Sequence, residues 1–183
     1  MKSERHLDGA ASAPAWLRLW AWFVWLALAL AVVTVLSACA TGPRLVTHGF
    51  GYEGWSDGWA NDVELLEFSY GDQYPPVQGR AKGDVGLGYS WGVNGSMPIG
   101  EFLYVKWRIK ASGEVLAERV DLRDRLPRDM TDHELTFVID GRQLYVYVVT
   151  PERKKSYSEP PLLRTWLSKF AKAYEVFPAK GQR

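Results

Sequence analysis

Strict alternation constrains this chain most. From Phe102 to Lys110, Leu103, Val105, Trp107 and Ile109 fall on one face, and Phe102, Tyr104, Lys106, Arg108 and Lys110 on the other. Side chains of a strand point to opposite faces in turn, so this is a half-buried strand and not a helix. Ala111-Ser112-Gly113-Glu114 reads as a turn, and Val115–Leu122 alternates again. Glu134–Ile139 and Arg142–Val149 flank Asp140-Gly141. Asp-Gly between β-branched and aromatic runs is a hairpin signal, because glycine accepts the positive φ of a tight turn. Leu45–Phe50 and Val63–Tyr70 are further strands. The expected fold is mainly β, an antiparallel sheet or β-sandwich of about six or seven strands.

The C-terminal stretch changes period. After Pro160-Pro161, Leu162, Leu163, Trp166, Leu167, Phe170 and Tyr174 recur at helical spacing, while Arg164, Lys169 and Lys172 face away. This predicts one C-terminal amphipathic α-helix ending before Pro178, packed as a lid on a sheet face or lying on a membrane surface. Gln73–Gly100 carries seven glycines, Gly79, Gly83, Gly86, Gly88, Gly92, Gly95 and Gly100, and reads as a long loop region.

The first forty residues are a separate object. No charge occurs from Leu19 to Ala38, and Lys2, Arg5 and Arg18 precede the run. A basic start, an apolar run and small residues at its end describe a secretory signal. Leu36-Ser37-Ala38-Cys39 resembles the lipobox of bacterial lipoproteins, at all four positions. The resemblance implies a signal peptide over 1–38, cleavage between Ala38 and Cys39, and a lipid (diacylglycerol, with an added acyl chain such as palmitate) on Cys39. Each buried methylene contributes ~0.8 kcal/mol, so two or three chains anchor stably where one does not. Two other readings stand beside it: a retained transmembrane helix, since about 20 apolar residues span a bilayer, and an Ala38-Cys39-Ala40 cleavage that frees a soluble protein. In the Gram-negative lipoproteins that this segment resembles, the residue after the cysteine helps sorting, and with Ala40 there rather than aspartate the resemblance implies the outer membrane, facing the periplasm. Residues 39–43 are then a short tether, and 44–183 a single β-rich domain.

The chain is 183 residues long, 47% hydrophobic and 23% charged, with net charge +1. Removing Lys2, Arg5 and Arg18, and Glu4 and Asp8, leaves equal numbers of cations and anions from Cys39 onward. That balance excludes the basic surface of a nucleic-acid binder. A single cysteine, Cys39, excludes an intramolecular disulfide and a cysteine-based zinc site.

Chemistry-bearing residues are sparse. Gly88-Tyr89-Ser90-Trp91-Gly92 matches G-x-S-x-G, with Asp124 or Asp129 and His133 in the order of a hydrolase triad. The nucleophile elbow needs a helix after the serine, and Val93-Asn94-Gly95-Ser96-Met97-Pro98 does not make one. A serine hydrolase is therefore not expected. Asp57, Asn61, Asp62 and Glu64 lack calcium-loop spacing. His48 and His133 stand outside any motif, and Arg153-Lys154-Lys155 is a solvated basic run. No enzyme activity, metal or cofactor is expected. His48–Asp62 alternates glycine with Phe50, Tyr52, Trp55 and Trp59. Such aromatics either close a sandwich core or form a recognition loop for a protein or a glycan, with Tyr52, Trp55 and Trp59 as the partner-binding residues.

The stretch Met97-Pro98-Ile99-Gly100-Glu101-Phe102-Leu103-Tyr104-Val105-Lys106-Trp107 is similar to small bacterial lipoproteins that pair a lipobox with a Pro-x-Gly turn and a strand ending in tryptophan. Some of these are encoded near type VI secretion effectors. The resemblance implies a membrane-anchored, non-catalytic binding module for a protein partner in the periplasm, with an effector-immunity or secretion accessory role. The alternative is a structural envelope component contacting peptidoglycan or membrane.

Overall fold

The computed structural model describes Trp22, Trp25, residues 43–72 and residues 74–178. Trp22 and Trp25 are helical and exposed. The lipobox, with Ala38 and Cys39, and most of the apolar run lie outside the described residues. Among the described residues no helix is long and apolar enough to cross a membrane. The chain divides into two compact units, Met1–Pro43 and Arg44–Arg183.

Among its described residues the second unit has nine strands: β1 (Leu45–Glu53), β2 (Val63–Tyr70), β3 (Gln78–Arg80), β4 (Ser90–Pro98), β5 (Phe102–Ile109), β6 (Val115–Asp121), β7 (Glu134–Asp140), β8 (Gln143–Arg153) and β9 (Ala171–Phe177). They form a five-stranded sheet, β4-β1-β7-β8-β9, and a four-stranded sheet, β3-β2-β5-β6. All neighbours are antiparallel except β1 and β7. Inward residues of both sheets share one core, in which Phe50 stacks on Tyr70 at 4.8 Å and Tyr52 meets Phe68 at 5.4 Å. The alternation of β5 and the hairpin at Gly141 (φ 58°) follow the sequence expectation.

Three expectations are corrected. The predicted C-terminal helix is absent: the region holds a 3-10 turn at Trp166–Lys169 and then β9. The turn is closed by local side chains, with Ser168 Oγ donating to Thr165 O at 2.7 Å. Beyond it Ala171-Lys172-Ala173-Tyr174 also alternates, Ala171 and Ala173 inward, Lys172 and Tyr174 outward. Short helices gain little from propensity alone, so pairing with the edge of β8 prevails. The strand count is nine because β3 and β4 lie in the expected loop region and β9 replaces the helix. In β4, Trp91, Val93 and Met97 do alternate inward, but glycines at 92 and 95 mask the pattern.

Candidate binding surface

β1 and β7 run parallel, so the β1–β2 loop lies at the same end of the sandwich as the β7–β8 turn. β2 begins opposite the end of β5, which brings the β5–β6 turn there too. Leu45 lies at the other end, about 30 Å away at ~3.3 Å per strand residue. Backbone acceptors tie these loops together. Lys110 Nζ donates to Ala60 O at 2.7 Å, and Trp107 Nε1 donates to Gly141 O at 3.0 Å. The Trp166 N–H donates to Asp57 Oδ1 at 2.7 Å, which holds the β1–β2 loop against the chain entering β9.

Of the three aromatics expected to bind a partner, the structure puts one at the surface. Tyr52 and Trp59 are buried core residues, so they are corrected as contact residues. Tyr52 points inward from β1 and donates from its hydroxyl to Gly88 O at 3.0 Å. Trp59 folds back over Gly54, where a Cβ would come within 3.0 Å of its ring. Trp55 is 60% exposed. Its ring stands edge-on to Tyr89 at 5.2 Å, and Lys110 Nζ lies over the Tyr89 ring at 4.8 Å. Tyr89 and Lys110 were not recognisable as neighbours of Trp55 from sequence, because two separate sheets deliver them.

Beside this surface is a cleft of about 260 Å³ lined by Asp57, Trp59, Asp62, Asp140 and Arg164. Burial pushes the Asp57 carboxyl up to about 7, against the opposing hydrogen bond from Trp166, and the charge of Glu53 adds to the rise. Asp57 Oδ2 and Trp59 Nε1 have no hydrogen-bond partner among the described residues. Arg164 is already engaged, with Nε donating to Asp140 at 3.1 Å and its guanidinium over the Tyr145 ring at 4.3 Å.

The other sequence candidates stay apart. Ser90 pairs with Glu53 on one side of β1, whereas His133 precedes the pairing of Glu134 with Gly49 on the other. Four strand residues along β1 alone separate them by about 13 Å, so no serine–histidine pair forms. Asp129 accepts from the Thr131 N–H at 2.9 Å, and Asp124 is exposed. His48 is fully buried and satisfied, with Nδ1 bonded to Val46 O at 2.8 Å and Nε2 to the Tyr70 hydroxyl at 3.1 Å. Lys154 donates to Glu159 O and Pro161 O, both at 2.6 Å, and so clasps its own loop. Glu64 is paired with Arg108 at 2.7 Å. Among the described residues no three or more His, Cys, Asp or Glu side chains converge as metal ligands.

No known protein family, curated protein or solved structure matches this chain.

Proposed function

We propose that this chain is an envelope lipoprotein, anchored through Cys39, whose β-sandwich acts as a non-catalytic binding module for a protein partner in the periplasm. The observation that carries this reading is Trp55, an aromatic held 60% exposed against Tyr89 at one end of the sandwich. A large ring with few rotors to fix loses little entropy when it is covered, which is why such residues anchor interfaces. Trp55, Tyr89 and Lys110 lie together at that end, where a partner would meet them. An effector-immunity or secretion accessory role fits a neutral, anchored module of this kind.

The test is affinity capture with the full-length chain, solubilised from membranes of its source, against the Trp55→Ala variant. A partner near one-to-one stoichiometry, lost in the variant while circular dichroism is unchanged, is expected. Equal capture by both chains contradicts the assignment of Trp55.

A further inference from the structure

The four sheet edges of the sandwich are not alike. β3 is three residues long, β6 carries Glu118, Arg119 and Asp121, and β9 pairs with β8 through two register shifts and carries Lys172 and Glu175. Shortness, charge and bulges are the devices that stop an edge from pairing with another chain. β4 has none of them. Its nine residues pair with β1 in unbroken register from Ser90 to Pro98, with no charged side chain and no proline before the last position.

The register also says which peptide groups are free. The Gly54 N–H bonds Tyr89 O at 2.6 Å, and the Gly49 N–H bonds His133 O on the far side of β1 at 2.8 Å. Bonding direction alternates along an antiparallel pair. Hence Trp91, Val93, Gly95 and Met97 bond toward β1, and Ser90, Gly92, Asn94 and Ser96 present N–H and C=O outward. Those four residues are all exposed, and their outward peptide groups have no backbone partner among the described residues.

We propose that this edge is a dimer interface: β4 pairs antiparallel with β4 of a second copy, about a two-fold axis at Val93, joining the two five-stranded sheets into one. The occupant follows from the sequence of the edge itself. A two-fold contact sets one patch against itself. Centred on Val93, Ser90 faces Ser96 of the second copy and Gly92 faces its Asn94, so all four outward residues are paired. No charges oppose. Trp91, only partly buried here, then lies across from Gly95, where an aromatic covers the gap a glycine leaves. Sliding the register one step toward Pro98 would set Ser90 against a residue with no N–H.

Val93 is the sharp probe. Directly opposed residues outside the hydrogen-bonded pairs have Cα atoms about 4.5 Å apart, within disulfide reach. In the full-length chain carrying Cys39→Ser, so that the new thiol stands alone, Val93→Cys is expected to give a disulfide-linked dimer on mild oxidation. Ala117→Cys, on the exposed edge strand β6, is the control and should stay monomeric. Adding Gly92→Lys and Asn94→Lys sets like charges directly opposite across the axis. It should cut the Val93→Cys dimer about tenfold, a change of ~1.4 kcal/mol, and leave circular dichroism unchanged. Dimer no greater than in Ala117→Cys, or undiminished by the lysines, overturns the proposal. So does a purified Val93→Cys chain that stays monomeric and whose introduced thiol instead links to a different protein in cells.

Discussion

The two ends of the five-stranded sheet solve the same problem in opposite ways. β9 is a shielded edge: its register with β8 shifts twice, Lys172 pairs with Glu152 at 2.5 Å, and its two inward alanines pack beneath Leu163 and Leu167. β4 is straight in register, uncharged and backed by Phe50, Tyr52 and Phe68, which Trp91 touches. Bulges and charges cost a sheet pairing and are kept where an edge must stay single. Their confinement to one side shows that this sheet is closed at β9 and open at β4.

The strongest way to break that contrast is from inside. An alanine Cβ at Gly51 would stand 2.8 Å from Trp91 O and 3.1 Å from Gly92 Cα. Both are backbone atoms and cannot swing away. Gly51→Ala should therefore destabilise the fold by about 3 kcal/mol in denaturant unfolding, within the range for overpacking, and peel β4 from β1. A loss under ~0.5 kcal/mol would mean that β4 has room the structure does not show.

A smaller effect is expected from pH, and it separates the two sides. Asp57 holds the chain that leads into β9, and its carboxyl is raised to about 7 by burial. A raised carboxyl stabilises the fold fully below its ordinary value of 3.8 and loses that contribution as pH rises through about 7. Asp57→Asn should thus unfold later than the parent at pH 8 and no later at pH 4. His48, beside β4 on β1, has its pKa lowered by burial, against the Val46 hydrogen bond that raises it. Its contribution is present above 6.5 and is lost as pH falls below it. In Asp57→Asn, stability should therefore fall on acidification below 6.5, and this fall should vanish in Asp57→Asn/His48→Gln. The least effect belongs to the exposed Lys172–Glu152 pair, which solvent screens: Lys172→Ala should leave the denaturant midpoint unchanged. It should not convert β9 into a pairing edge, because the register shifts remain.

What the sequence conveyed and what it hid follow the same physics. β5 was legible because Leu103, Val105 and Trp107 alternate without interruption. The β7–β8 hairpin was legible because Asp140-Gly141 specifies its own turn. β4 was not, since Gly92 and Gly95 have no side chain with which to declare a face, and its pairing partner is distant in the chain, Asn94 at its centre lying opposite Gly49. β9 was misread because Leu163, Trp166, Leu167 and Phe170 share helical spacing, and only the open edge of β8 decides between the two periods. Within the surface at the loop end, aromatic composition was legible but burial was not. Tyr52 points inward in phase with Val46, His48 and Phe50, a period that the glycines at 49 and 51 mask, whereas Trp59 folds back over Gly54, which no local pattern encodes.

The open edge is tested most directly by amide hydrogen exchange along β4, read residue by residue as protein concentration is raised. Trp91, Val93, Gly95 and Met97 bond to β1 and should be protected at every concentration. Gly92, Asn94 and Ser96 should exchange freely when dilute and become protected as the second copy adds its strand. Fast exchange of those three amides at all concentrations would contradict the pairing of β4 with itself.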